Sequence, residues 1–174
     1  MNDERNIFIG LLFLSGQTAY IQDLRTILEP INMENRIMDY IDDFNKLDIG
    51  LHIRSVAGGY QMVVDDKYYS RLSSFFSIRS EVLSKAAKET LAVIAYKQPI
   101  SKVVVEQIRG VNSAGVIKNL LDKNLIKIVG RKNVPGRPLI YATTDFFLEY
   151  FGLNNLSELP TFREWQELNL NPSD

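Results

Sequence analysis

The chain has no cysteine and a single histidine, His52. The first absence excludes disulfides and thiolate metal sites, and the second excludes any site built on two imidazoles. No apolar run approaches the roughly 20 residues that carry a helix across a bilayer, so no membrane partner is expected. The start, MNDERNIF, holds two acids where a secretory leader has a basic flank followed by an apolar stretch, which points to the cytoplasm. Charge of one sign is also lacking: 20 basic and 21 acidic side chains leave a net charge of -1. What is present is ordinary for a folded chain. Of 174 residues, 45% are hydrophobic, enough for a real core in one large domain or two small ones.

The near-neutral total hides an asymmetry. Residues 1–80 sum to -3, residues 81–152 to +5 and residues 153–174 to -3. A nucleic-acid-binding module usually carries a basic face, and only the middle segment does so, mildly. Catalytic arrangements are not readable. His52 alternates with Leu51 and Ile53, as on the solvent side of a strand, with no acid or nucleophile pattern around it. Asp42-Asp43 and Asp65-Asp66 are adjacent pairs, and adjacent side chains diverge rather than converge on one atom. The glycines at 58, 59 and 136 are turn glycines without the lysine and hydroxyl of a phosphate loop. No cofactor is expected.

Taken in order, Ile7–Leu14 suits a buried first helix and Thr18 a cap for a second, with Ile21, Leu24, Ile27 and Leu28 on its apolar face and Pro30 at its end. Asn32 is the expected cap of a third helix, with Ile37, Ile41, Phe44 and Leu47 at helical spacing. After Gly50 the period changes to two: Leu51 and Ile53, a turn at Gly58-Gly59, then Tyr60, Met62 and Val64. Tyr68–Phe76 reads as a short closing helix and Ser77–Ser80 as a linker. The same order then returns. Ser84 caps a helix facing inward through Ala87, Leu91, Ile94 and Ala95 and stopped by Pro99. Ser101 starts the next, with Val104 and Ile108 inward and Gly110 at its end. Ser113 opens a third, with Val116, Ile117, Leu120 and Leu121 on its core side. Leu125–Val129 and Leu139–Ala142 pair as strands. Between them Pro135-Gly136 fits the centre of a type II turn, and Pro138 is expected to hold Arg137 extended. Thr143–Leu153 closes as an aromatic-rich helix. After it, Leu153, Leu156, Leu159, Phe162, Trp165 and Leu168 recur every three residues, a spacing no α-helix holds on one face, so an irregular strap or a docking peptide is expected.

Helix, helix, turn, helix and hairpin, twice over, is the winged-helix plan. The fold class is therefore mainly α with small β-hairpins (α+β), in two tandem winged-helix domains: residues 1–78, residues 79–153 and a tail of 154–174. The third helix of the first domain carries Glu34, Asp39, Asp42 and Asp43 against Arg36 and Lys46, which phosphate would repel. In the second domain that helix offers Ser113, Ala114, Lys118, Asn119 and Asp122. The hairpin adds Arg131, Lys132 and Arg137, with Arg109 near in sequence. These could make a few salt-sensitive phosphate contacts. A stiff Pro135-Gly136-Arg137-Pro138 loop with Tyr141 behind it suits protein recognition equally, since arginine and tyrosine are enriched where interfaces bind most tightly. The candidate partner-binding residues are thus Arg109, Asn112, Ser113, Lys118, Arg131, Lys132, Pro135, Gly136, Arg137, Pro138 and Tyr141.

The strings KETLAVIAYKQPIS, EQIRGVNSAGVIKNLLDKNLI, VGRKNVPGRPLIYATT and FLEYFGL resemble the bacterial segregation and condensation protein B family, over Lys88–Pro160, and LLFLSGQ resembles that family's opening helix. Ala142 stands where the family pattern has glycine. The resemblance implies two tandem winged-helix domains and a homodimer formed mainly through the first. It also implies binding to the kleisin subunit (segregation and condensation protein A), which bridges the heads of the SMC ATPase, and no catalytic activity. A cytoplasmic, nucleoid-associated scaffold for chromosome condensation and segregation in cell division is the expectation, with DNA contact weak or indirect. The alternative is a transcriptional regulator that reads DNA through the second domain.

Overall fold

Helical spacing gives way to strict alternation twice along this chain, and each change marks where helices hand over to a sheet. The computed structural model describes residues 2–75 and 83–161 and is a mixed α+β fold with two small three-stranded sheets. The chain divides into two units, Met1–Arg79 with Gly152–Asp174, and Ser80–Phe151. The expected linker at 77–80 and the tail from Phe162 onward, with Trp165 and Leu168, lie outside the described residues.

In the first unit, α1 (Asn2–Ser15) extends well ahead of the apolar run that predicts it. The expectation of a wholly buried helix is corrected. Phe8 and Leu12, one turn apart, are sealed in the core, while Phe13 is 70% and Leu14 84% exposed. An apolar run wraps right round a helix, whereas the core covers one stripe of it. Thr18 does not cap a helix; it lies buried ahead of β1 (Ala19–Tyr20) with its hydroxyl unpartnered. α2 (Ile21–Leu24) is a single turn, prolonged by bonds from Arg25 N–H to the Ile21 carbonyl and from Leu28 N–H to the Leu24 carbonyl. It buries Leu24 and Leu28 but not Ile27, and it stops before Pro30 can act. α3 (Met33–Asn45) begins after Asn32, which sits at the cap position with φ 51° but makes no side-chain capping bond. Ile37 and Phe44 face inward as expected, joined by Tyr40, and Leu47 stays outside.

β2 (Leu51–Val56) and β3 (Gly59–Val64) form the expected hairpin, with Ile53 opposite Met62. The short β1 adds a third strand, giving the order β1-β3-β2, antiparallel throughout. Two residues are too few to announce a strand by alternation. The hairpin turns through Ala57 and Gly58, with φ of 52° and 72°, rather than through Gly58-Gly59. Gly59 is needed for a different reason: a Cβ there would lie 2.5 Å from the Ala19 carbonyl oxygen, so only a bare α-carbon lets β1 close on β3. α4 (Asp66–Phe75) ends this part of the unit and buries none of its residues.

A polar knot ties α1 to α3. The Glu4 carboxylate accepts from Arg36 Nη2 at 2.7 Å and Nε at 3.0 Å, from Tyr40 Oη at 2.9 Å and from the Glu29 N–H at 3.1 Å. Arg36 also donates to the carbonyls of Glu29 and Ile31. Its hydrogen bonds, the largest influence, hold the Glu4 carboxyl below its ordinary value against the opposing pull of burial.

The second unit repeats the order. α5 (Lys85–Lys97) is capped by Ser84, whose Oγ accepts the Ala87 N–H at 3.2 Å, and it buries Ala87, Leu91, Ile94 and Ala95 as expected. β4 (Ile100–Ser101) precedes α6 (Lys102–Arg109), which Gly110 ends at φ 70°. The inward residue of α6 is Val105, fully buried, and not Val104 or Ile108, which are 36% and 51% exposed. The residue that follows β4 fixes the rotation of so short a helix, and a run of three valines leaves its inward member undetermined. α7 (Ala114–Asp122) seals Ile117 and Leu120. β5 (Ile126–Arg131) and β6 (Leu139–Thr143) pair with a bulge between Ile128 and Gly130, in the order β4-β6-β5. α8 (Asp145–Phe151) is capped by Thr144, whose Oγ1 accepts the Phe147 N–H at 3.1 Å.

The described residues after α8, 152–161, belong with the first unit. The Leu153 carbonyl accepts the Ala57 N–H at 2.8 Å, Ser55 Oγ donates to Asn154 Oδ1 at 2.7 Å, and a 3-10 turn follows at Leu156–Glu158.

Two glycines should answer oppositely to the same change. Gly59→Ala should cost about 1–3 kcal/mol through the clash with Ala19. Gly10→Ala, whose new methyl meets nothing within 4 Å, should gain up to about 1 kcal/mol from helix propensity; urea melts of both variants check this. A carboxyl held low stabilises the fold above its ordinary pKa, and the contribution is lost as pH falls through the lowered one. Glu4→Gln should therefore lower the melting temperature near neutrality, with the gap to the parent closing in acid, as thermal melts at about pH 7 and about pH 3 would show.

Candidate functional site

The candidate residues fall on four parts of the second unit: the α6–α7 turn, the outer side of α7, the end of β5 with the loop after it, and β6 itself. The turn is held by polar groups that satisfy each other. Arg109, at the end of α6, donates through Nη2 to Glu89 Oε2 on α5 at 2.9 Å and through Nη1 to Ser113 Oγ at 3.2 Å. Ser113 is fully buried; its N–H donates to Glu106 Oε1 at 3.0 Å and its Oγ to the Val111 carbonyl. Asn112 Oδ1 accepts the Ala114 N–H at 2.9 Å and so caps the start of α7. The Arg109 side chain is only 9% exposed. Arg109 and Ser113 thus tie α5, α6 and α7 together, while Asn112, exposed, makes a local bond at the start of α7.

The loop after β5 is rigid for a visible reason. Arg137 N–H donates to the Val134 carbonyl at 2.9 Å across Pro135 and Gly136, and Gly136 has φ 82°, as a type II turn requires. Lys132 N–H closes the loop on the Pro138 carbonyl at 2.9 Å. Arg137 is not extended: its φ is 38°, because the chain must turn through two successive residues to bring Pro138 back opposite Lys132. Arg131 Nη1 donates to the Arg137 carbonyl at 3.3 Å, so one arginine braces the backbone of the other. Arg131, Lys132, Pro135, Gly136 and Arg137 are exposed and Pro138 is half-buried. Lys118 stands exposed on α7, the single cation of that helix. Tyr141 is buried in β6, opposite Ile100 and Ile128, and supports the sheet from within. Gln98 ties the end of α5 to the same strand: its Oε1 accepts from both the N–H and the Oγ1 of Thr143, at 2.7 and 3.0 Å.

Sequence reasoning missed the apolar part of this surface. Val103, Ile108 and Val111 are 51–53% exposed, and Ile128 and Val129 on β5 nearly as much. Apolar residues at helical spacing read as core, and only packing reveals which of them the core has no room for.

In the first unit α3 shows acids and few cations outward, with Arg25 paired to Glu34 and Lys46 to Asp43. His52 Nδ1 lies 2.8 Å from Asp65 Oδ1, a partner the alternation around His52 does not disclose. α1 and the sheet frame an apolar groove of about 360 Å³, lined by Ile9, Gly10, Phe13, Phe44, Ile49, Leu51 and Met62 with Asn6 at its side. No group of three metal-ligating side chains converges among the described residues, and no helix there is long and apolar enough to cross a membrane.

Residues 6–162 match the family described as "Segregation and condensation complex subunit ScpB". The segregation and condensation protein B of Syntrophotalea carbinolica is 41% identical over 164 residues, 93% of this chain and 83% of that one. Its counterpart in Moorella thermoacetica is 40% identical over 156 residues, covering 88% and 80%. A crystal structure of ScpB from Mycobacterium tuberculosis is 28% identical, covers 87% of this chain and 96% of its own, and superposes with a TM-score of 0.41.

The division of labour among the arginines is testable. Arg109→Ala should destabilise the chain by about 1–3 kcal/mol, because it leaves Ser113 and Glu89 without their charged partner. Replacing Arg131, Lys132 and Arg137 together by alanine should change stability far less, since each is exposed, at the end of β5 or in the loop after it. Chemical denaturation of the two variants separates these roles.

Proposed function

We propose, on the premise that the chain belongs to the segregation and condensation complex subunit ScpB family, that it is a non-enzymatic, dimeric scaffold that binds the kleisin. Family membership gives it a part in the complex that segregates and condenses chromosomes. The finer reading is that its two units are tandem winged-helix domains. The first, residues 1–78, pairs with a second copy. The second, 79–153, holds the kleisin, through which the scaffold reaches the SMC ATPase at the nucleoid.

The observation that carries this reading is the character of the exposed surface on the second unit. Val103, Ile108 and Val111 are half or more exposed and Val104 partly so, and exposed apolar side chains near one helix favour a protein partner over phosphate. Arg109, which a phosphate-binding reading would recruit, is already spent on Glu89. Arg131, Lys132 and Arg137 remain, on a loop whose turn bonds hold it in place, so little entropy is lost when a partner docks on them. Charges at the rim of such a contact set register and on-rate more than affinity. The groove between α1 and the sheet supports self-association: Phe13 projects beside it at 70% exposure, in a unit whose α3 is too acidic to approach DNA.

The test is co-purification with the kleisin subunit of the same cell, followed by titration at physiological salt. Failure to bind it, with tight binding to a specific duplex instead, would overturn the scaffold reading. Phe13→Glu should leave a folded protein that light scattering finds as a monomer. The triple alanine variant of Arg131, Lys132 and Arg137 should weaken kleisin binding by up to about tenfold without unfolding the chain.

A further inference from the structure

Each sheet has one long strand at its edge, β2 in the first unit and β5 in the second. Along an antiparallel strand, successive residues turn their N–H and C=O alternately toward the neighbouring strand and away from it. Asn45 reveals which residues of β2 face away. Its side-chain nitrogen donates to the Ile53 carbonyl at 2.9 Å, and its oxygen accepts the Ile53 N–H at 2.8 Å. In the hairpin turn beyond β2, Ala57 N–H donates to the Leu153 carbonyl, and on the strand Ser55 Oγ donates to Asn154. The first edge is thus closed at Ile53 by Asn45, while Leu153 and Asn154 meet its turn end through Ala57 N–H and the Ser55 side chain.

The two sheets can be aligned on their middle strands. Tyr60 faces Ser55 on one side and Ala19 on the other; Tyr141 faces Ile128 on one side and Ile100 on the other. Ile128 therefore takes the place of Ser55, and its N–H and C=O point outward. Nothing among the described residues plays the part of Asn45 or Leu153 for β5: no hydrogen bond reaches its outer edge. Ile128 and Val129 are 48% and 49% exposed, and Lys127, Arg131 and Lys132 stand exposed around them. The bulge between Ile128 and Gly130 limits regular pairing to the part of the strand up to Ile128.

We propose that the edge of β5 at Ile128 is a docking strand, to which a partner adds one short extended segment of alternating apolar and acidic residues. The outward N–H and C=O of Ile128 supply the main-chain bonds, its side chain an apolar neighbour, and Lys127 and Arg131 the counter-charges. This rests on the reading of the second unit as kleisin-binding and commits to an extended kleisin segment as the occupant. Charge points to that occupant: exposed Lys127, Arg131 and Lys132 flank the open Ile128 and suit an acidic, extended segment.

The experiment uses the full chain and the purified kleisin subunit, with calorimetry for affinity and hydrogen exchange for the Ile128 amide. Ile128→Pro removes an N–H that takes no part in the β5–β6 ladder, so the sheet should survive, as proline is tolerated on an edge strand. Kleisin affinity should fall by roughly tenfold or more, whereas Ile128→Thr, which keeps the N–H, should bind within a few-fold of the parent. The Ile128 amide should exchange freely in the unbound chain and slowly in the complex. A folded Ile128→Pro that binds like the parent would sink the proposal. So would an amide that exchanges equally fast free and bound, a measurement on the parent that stands even if the proline variant fails to fold. Protection already present in the free chain would also overturn it. Loss of that protection on dilution would identify a second copy as the occupant, and loss on deleting residues 162–174 the chain's own acidic end. If the parent binds no kleisin at all, the functional reading itself has failed, which is a different result.

Discussion

In both units the middle strand is paired on its two sides, and the other elements are placed by what that pairing demands. β3 must admit β1 close against its start, and Gly59 is the residue that makes the approach sterically possible. β6 must admit β4 in the same way, and Tyr141 sits between Ile100 and Ile128 with its ring turned into the core. Three strands of this length expose one apolar face that they cannot bury alone. Leu24, Ile37 and Phe44 in one unit, and Leu91, Val105 and Leu120 in the other, close over those faces. The helices are thus positioned by the sheets as much as by their own propensity, which explains why α2 persists for only a single turn.

The same demand decides which polar groups are left for a partner. A buried polar group must be satisfied internally, because an unmade hydrogen bond there costs more than a made one returns. Glu4 and Arg36 meet that need between α1 and α3, and Glu89, Arg109, Glu106 and Ser113 meet it among α5, α6 and α7. Charges so engaged are unavailable to ligands. Those still facing outward on the second unit include the loop cations, Lys127 and Lys118, and the loop cations border an apolar surface. An assembly subunit needs this combination: internal charge pairs fix the geometry, and unpaired apolar area supplies the attraction.

Much of the plan was legible in the residues. The helices at Ala87–Ala95 and Ile117–Leu121, the Ser84 cap, the Gly110 stop, the type II turn at Pro135-Gly136 and both hairpins follow from local rules that tertiary contacts did not override. The misreadings share a cause. Val104 and Ile108 in place of Val105, and the buried first helix, each required knowing which side of an element the core would take. Periodicity says that a face exists. In a run such as Val103–Val105 it does not say which residue owns it, because any of the three can lead a helical stripe.

The sequence by itself determined the order of helices and strands, the places where the chain turns, and the family to which it belongs, because these depend on neighbours within about one turn of helix or one hairpin. Tertiary structure alone decided that Arg109 is a strut between helices while Arg131 stays exposed and braces the Arg137 carbonyl. It also decided that Gly59 serves a close approach rather than a turn, and that Asn45 closes the edge of β2 at Ile53 while no group among the described residues bonds the edge of β5. Those outcomes depend on groups far apart along the chain, Ala19 with Gly59, Glu89 with Arg109 and Ala57 with Leu153, which no local pattern brings together.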